Sequence, residues 1–585
     1  MESNRRTPLW AAALIGLVSG AVAVGVSLLV AGLVKASAFP VVAVGNAAVD
    51  LTPATLKDFA IRTFGENDKT VLLTGIFLVL AAIAAAVGVL AVRDIRYGLA
   101  GLAAFGAVGV LAVLTRPGAA AMDVVPTVVG VAAAMFALHR LVARALAPET
   151  GPREAGPREA GPREAGPYDA GSHGGRAAVG GGGEERRGGG SAEGEGEERH
   201  GGRSVVGAGG EERHGAPVPP VMRAGNGPYT FDRRRLLIGT LGGVAVAGVA
   251  GLAGRMLSSR AEVAAARVGM ALPRPAVPAA PLPAGVDLRI RGLSPFVTPN
   301  HDFYRVDTAL VVPQVDPRNW TLRIHGMVDR PVELTFADLM KRPLEEADVT
   351  LCCVSNEVGG PYVGNARWLG TSLAGVLRDA GVRKGADMLL STSADGWTCG
   401  TPVDVVLDGR DALLAFGMNG EALPVEHGFP VRQVVPGLYG YVSATKWVTD
   451  IKVTRFDRDE AYWTPKGWSA MGPVKTQSRI DLPRDGARVA PGRTVIAGVA
   501  WAQHKGVEAV EVRIDRGQWR QARLAVAPTA DTWRQWVVDD WDATPGSHTI
   551  EVRATDATGY TQTPDLAPVA PDGATGWHTV SVDVA

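Results

Sequence analysis

Apolar residues fall along this chain in two rhythms. In the first quarter they form long blocks, Leu9 to Val34, Val71 to Val92, Tyr97 to Thr115 and a weaker run from about Ala119 to Leu138. A fifth block, Leu236 to Gly254, follows "DRRRLLIG". The first three can each cross about 30 Å of hydrocarbon as a helix. The fourth carries Asp123 and Pro126 near its start, and a consistent orientation of the chain requires it as a span. From Val286 onward the apolar positions come in short groups instead. "WTLRIHG" and "LVVP" predict strands, whereas "TFADLMKR" and "SLAGVLRDAGV" predict short helices, with Thr335 and either Thr371 or Ser372 as N-cap. After "KTQSRIDLPRDGARV" the pattern alternates at the short spacing of an all-β sandwich, as in Val510-Glu511-Val512-Arg513-Ile514-Asp515, which gives one apolar and one solvated face.

Charge orients the blocks. Arg5 and Arg6, Arg93 and Arg96, Arg140 and Arg144, and Arg233 to Arg235 flank alternate ends, so the positive-inside tendency places the N-terminus in the cytoplasm and everything after about residue 255 outside. The loop of residues 35–70 is mixed, its Lys35, Lys57, Arg62 and Lys69 offset by Asp50, Asp58, Glu66 and Asp68. Arg233-Arg234-Arg235-Leu236-Leu237 also resembles a twin-arginine export signal, which carries folded, cofactor-loaded proteins. Between the fourth and fifth blocks lie GPREA repeats, "GGGGEERRGGG" and two copies of GEERH, too polar to bury a core and expected to stay disordered. The predicted order is four transmembrane helices in 1–145, a glycine- and charge-rich cytoplasmic linker in 146–232 and a fifth span in 233–256. There follow a proline-rich stalk in 257–285, a mixed α+β domain in 286–470 and an all-β domain in 471–585.

Composition removes several functions. With 59 basic and 59 acidic residues the net charge is zero, and no basic block is interleaved with aromatics, so nucleic acid is not an expected partner. Three cysteines are too few for a disulfide framework. His139 is the only histidine in or beside a span and no Cys-x-x-Cys-His occurs, so stacked haems lack ligands and the membrane part reads as anchor or docking surface. Neither a Gly-x-Gly-x-x-Gly nor a Gly-x-Ser-x-Gly motif is present.

The candidate chemistry gathers around "LCCVSNEVGG" at 351–360. Successive strand residues point to opposite faces, so one of Cys352 and Cys353 faces a site and the other the core. This segment, "GNARWLGTSLAGVL" and "MNGEALPVEHGFPVRQVVPGLYGYVSATKW" together resemble, in order, the molybdenum-cofactor domain of the sulfite oxidase family, over about Phe303 to Asp450 and onward into the C-terminal domain. A soft thiolate suits molybdenum held by a pterin dithiolene. The resemblance makes Cys353, in the Cys-x-x-Asn turn, the metal ligand and catalytic residue, and leaves Cys352 and Cys399 to the core. It implies molybdopterin contacts from His427, Arg432 and Lys446, and further ones from His301, Tyr304, Arg305, Ser393 and Asp395, with Asn365 and Arg367 as braces of the cysteine loop. It also implies an immunoglobulin-like C-terminal domain through which the chain could form a homodimer.

The pattern departs from the family where sulfite oxidases place cations around the metal. Val306-Asp307-Thr308 stands for Arg-Asn-His, Glu357-Val358 for an arginine pair, Pro465 for a tyrosine, and Gln503-His504-Lys505 for a glycine run. The resemblance therefore implies a membrane-anchored, extracytoplasmic oxygen-atom-transfer enzyme that exchanges electrons with an external carrier. Its small-molecule substrate is either an oxyanion such as sulfite or an S- or N-oxide, since methionine-sulfoxide reductases resemble this family and lack the same arginines. From another class, a metal-free surface binding or adhesion protein would keep the fold; the intact Cys-x-x-Asn turn and "HGFPVR" argue against it.

Overall fold

A computed structural model describes residues 7–34, 38–52, 63, 68–116, 119–146, 233–257 and 260–585. The chain divides into two compact units, Met1–Leu146 with Phe231–Ala585, and Ala147–Thr230. The second unit and most of the expected tether lie outside the described residues, as do Arg5, Arg6 and parts of the loop 35–70.

The apolar blocks form helices α1 (Leu9–Val34), α3 (Asp68–Arg93), α4 (Ile95–Leu114), α5 (Val125–Ala145) and α6 (Arg233–Leu257), and among the described residues five segments are long and apolar enough to cross a membrane. The short helix α2 (Pro40–Leu51) was not expected from the apolar blocks; Pro40 at its first turn favours a start there. Asp94 separates α3 from α4, its carboxylate accepting from Arg96 N at 2.9 Å. The fourth block becomes helical as α5 only after a 3-10 turn at Ala121–Val124, with Pro126 in the first turn of α5. The helices α1 and α3 approach so closely that a Cβ on Gly16 would stand 1.9 Å from Ala84 O, and one on Gly88 2.2 Å from Ala12 O.

Helix α7 (Arg260–Val268) leads into the mixed domain, where Val263 is fully buried and Arg267 donates to the carbonyls of Leu423 and Ala422. The proline-rich stretch read as a stalk instead follows the edge of the next sheet. Val277 N donates to Leu344 O, Glu346 N to Val277 O, and Arg367 to Ala280 O. An open strand edge supplies the partners that a free stalk would leave to water.

The mixed domain runs β1 (Thr321–Gly326), β2 (Val332–Thr335), α8 (Phe336–Met340), β3 (Leu344–Cys352), β4 (Val363–Ser372), α9 (Leu373–Ala380), β5 (Met388–Ser393), β6 (Thr398–Pro402), α10 (Val403–Leu407), β7 (Leu413–Met418), β8 (Glu421–Ala422), β9 (Arg432–Val434) and β10 (Val448–Thr454). One sheet has the order β2-β1-β10-β5-β6, with β1 and β10 parallel; the other is β3-β4-β7-β8, with β9 on β7. A shared core of Ile324, Ile451, Leu414, Phe416 and Leu377 lies between them. Thr335 caps α8 in a reciprocal box with Asp338, and Ser372 rather than Thr371 caps α9. "LVVP", expected as a strand, is irregular; Pro313 has no N–H for a ladder.

The C-terminal β domain holds β11 (Gln477–Leu482), β12 (Ala487–Val489), β13 (Gly492–Trp501), β14 (Val507–Ile514), β15 (Arg520–Gln521), β16 (Arg523–Leu524), β17 (Arg534–Ala543), β18 (Gly546–Asp556) and β19 (His578–Val584). Two sheets, β11-β13-β17-β16 and β12-β19-β18-β14-β15, close on one core in which Val510 and Val512 meet Ile496 and Trp536.

Candidate active site

Strand β3 is buried along nearly its whole length and ends at the two cysteines. The Cys352 side chain enters an apolar cluster with Phe296, Val363, Tyr439 and Trp501, and its thiol donates weakly to Cys353 O at 3.5 Å. Cys353 begins a turn: its N–H donates to Tyr362 O, and its sulfur accepts from Ser355 N at 3.4 Å. Asn356 closes that turn, its N–H reaching Cys353 O and its side-chain oxygen accepting from Tyr362 N at 2.7 Å. Burial pushes the Cys353 thiol up, against the opposing pull of the Ser355 hydrogen bonds and the Lys446 charge. Cys399 is buried beside Thr401.

Around this turn stand groups far apart in sequence. Tyr304 feels the charges of both Cys353 and Arg432, and burial raises its phenol well above its ordinary value. The Arg432 guanidinium is 5% exposed; it donates to the carbonyls of His427 at 3.1 Å and Gln433 at 3.5 Å and lies over the Trp368 ring. Among the described residues no carboxylate pairs with it, and burial draws its pKa down to about 10. The His427 Nε2 meets the Asn300 carbonyl at 3.0 Å. A carbonyl only accepts, so Nε2 carries the proton and Nδ1 is left as an acceptor. Gly428 follows with φ of +116°, and a Cβ there would press on Arg432 and Lys446. Lys446 binds Asp307 at 2.7 Å, and Arg305 reaches the same carboxylate at 2.8 Å. Burial lowers the Lys446 ammonium to about 8 against the raising effect of Asp307.

The β5–β6 turn completes the group. Ser393 N donates to Trp397 O, Asp395 accepts from Trp397 N, and Ala394 N donates to Trp447 O, which seats this turn beside Lys446. His301 is not brought in: its side chain is 82% exposed and faces Asp302, and the neighbouring Asn300 carbonyl meets His427 instead. Asn365 is fully buried, accepting from Thr350 and donating to Phe296 O, while Arg367 forks onto Asp348. Asp307 is the residue that sequence reasoning missed. It stood out as a departure from a pattern, whereas here it anchors two cations; its place two residues after Arg305 was the available signal.

Residues 309–463 match the family described as oxidoreductase molybdopterin binding domain. The chain is 31% identical to chicken sulfite oxidase over 323 residues, 47% of this chain and 70% of that protein. The chain belongs to the sulfite oxidase family. It is also 34% identical to the Bacillus subtilis oxidoreductase YuiH over 157 residues, 27% of this chain and 76% of that one. With mouse mitochondrial sulfite oxidase it shares 32% identity over 292 residues, 41% of this chain, and it spans only 52% of that relative's length. As a member of the family it is a molybdenum-dependent oxidoreductase, and its cofactor is molybdenum held by molybdopterin. The residues present fit such a group. A buried guanidinium without a carboxylate is costly unless an anion completes it, and a phosphate beside Arg432 would supply one.

Acid should unsettle the site through His427. Burial first, then the Arg432 charge, lowers this imidazole from 6.5 to about 4. The unfolded chain binds the proton near pH 6.5 and the folded chain only near pH 4, so this group's stability is intact above 6.5 and falls by about 3 kcal/mol as the pH drops to 4. His427→Gln should flatten the decline in melting temperature across that window. An unchanged acid slope would show that the imidazole titrates normally.

Proposed function

We propose that this chain is a membrane-anchored oxidoreductase whose catalytic domain faces the extracytoplasmic side and transfers an oxygen atom to or from a neutral S- or N-oxide-type substrate. Bound molybdopterin supplies the two-electron oxygen-atom chemistry through its molybdenum. The chain's own part is to hold and select. Cys353, at the end of a rigid strand and tied by Ser355 and Asn356, offers one soft thiolate to the metal. Arg432 and Lys446 would grip the phosphate end of the pterin, the Nδ1 of His427 would accept from a pterin N–H, and Tyr304 and the Ser393–Asp395 turn would flank the group. Arg305 acts by sharing Asp307 with Lys446 and so setting the charge of that corner.

The observation that carries the reading is the buried Arg432 guanidinium, which meets no carboxylate among the described residues, near the same tyrosine that senses the Cys353 thiol. Substrate choice follows from where cations are spent. Arg305 and Lys446 share the Asp307 carboxylate, Asp481 holds Arg479, and Glu357 follows the Cys-x-x-Asn turn. A doubly charged oxyanion meets little free positive charge in this arrangement, whereas a neutral oxide needs none. Each charge-assisted hydrogen bond is worth about 1.5–3 kcal/mol, so kcat/KM for a neutral sulfoxide should exceed that for sulfite by about tenfold or more. Steady-state assays of the molybdenum-loaded protein with both substrates check this, and tight saturation by sulfite would overturn it.

Five apolar helices support the anchor, and the arginines at their ends support the orientation. The two-sheet C-terminal domain of 471–585 is read as immunoglobulin-like, and homodimerisation through it is part of the same proposal.

A further inference from the structure

The helix ends do not merely tether the catalytic domain. Helix α2 seats against it so closely that a Cβ on Gly45 would stand 2.6 Å from Leu310. Beside that contact lies a cleft of about 90 Å³, walled on one side by Asn46 of α2 and Arg116 just beyond α4, and on the other by Thr308, Asp395, Trp397 and Tyr462. The Asn46 Oδ1 is buried with no hydrogen-bond partner among the described residues. Burial lowers the Arg116 guanidinium against the charges of Asp123 and Asp395. Thr308 adjoins Asp307, the partner of Lys446, and Asp395 belongs to the turn seated beside Trp447, so the cleft backs directly onto the candidate cofactor cradle.

The lining prescribes its ligand. A buried acceptor needs a donor, a guanidinium supplies donors to a second oxygen, and the aromatic walls suit a flat ring. Apolar helix α4 ends beside the cleft at Leu114 and provides a route from hydrocarbon, while α2 lines the cleft with Asn46, Ala47 and Val49. A phosphate headgroup would suit Arg116 but would meet the Asn46 oxygen and the Asp395 carboxylate as fellow acceptors. We propose that this cleft binds the headgroup of a membrane quinol, with Asn46 accepting from one ring hydroxyl and Arg116 donating to the other ring oxygen. The quinol is then the external electron carrier of the enzyme. It gives two electrons and two protons and becomes quinone; the S-oxide takes both electrons and both protons and leaves as sulfide and one water.

The inference rests on the membrane-anchored reading above, and its test separates the two. Full-length, molybdenum-loaded protein in detergent is titrated with decylubiquinol while tryptophan fluorescence is followed. Saturable quenching is expected, weakened about tenfold or more in Asn46→Leu, which strips the acceptor, and retained in Asn46→Asp, which keeps one. Quenching that does not saturate, equal affinity in Asn46→Leu and wild type, loss in both variants, or a site filled only by phosphatidylglycerol would each overturn the assignment. A chain that partitions away from membranes would instead remove the anchor reading on which it stands.

Discussion

Replacing Cys353 with serine should lower turnover to the background of cofactor-free protein while the melting temperature barely moves. Even an outer-shell change costs a metal site about 10–100-fold, so loss of the thiolate proposed for the metal should cost roughly three orders of magnitude or more. The fold should tolerate the exchange because the serine oxygen can still accept from Ser355 N, and Asn356 continues to close the turn. Cys352→Ser should behave in the opposite way. Its sulfur sits among Phe296, Val363, Tyr439 and Trp501, and a hydroxyl there costs about 1–3 kcal/mol. That variant should melt earlier and still turn over. Paired measurement of activity and melting temperature therefore distinguishes the two neighbours, and equal activity in both variants would remove Cys353 from the metal.

How far the sequence alone reveals this molecule depends on the range of the interaction. The long apolar blocks, the capped helices α8 and α9 and the alternation of β14 are local, so periodicity and N-cap chemistry exposed them. Strand geometry predicted only that Cys352 and Cys353 part company; the choice of Cys353 for the turn came from the Cys-x-x-Asn resemblance. What stayed hidden depended on partners distant in the chain. Val277 reads as stalk because its neighbours are prolines, yet the free edge of β3, some distance further along, takes it up. Helix α2 was lost inside a mixed-charge loop whose flanking residues masked its short apolar face. Asp307 was legible only as a missing asparagine, since its value lies in Lys446, which joins it through folding. His301 shows the reverse error: adjacency to the aromatic pair suggested a contact, but its ring turns to solvent and the Asn300 carbonyl does the meeting.

Arg432→Met should separate holding the cofactor from holding the fold. The guanidinium is nearly buried, bonded to two carbonyls and unpaired by any carboxylate among the described residues. Its lowered pKa of about 10 records the cost of that burial. Methionine fills a similar volume against Trp368 without the charge, and exchanging buried ionic groups for apolar ones of like size is often neutral or stabilising. The apo variant should therefore melt at or above the wild-type temperature. With molybdopterin the balance reverses. Truncating one side of a buried charge pair costs about 2–5 kcal/mol, which predicts retention of the cofactor weakened by about 30-fold or more. Molybdenum content after gel filtration reads the second effect and calorimetry of the apo protein reads the first. A variant that keeps its metal while losing stability would show that Arg432 serves the core, and the phosphate would then have to be held by Lys446.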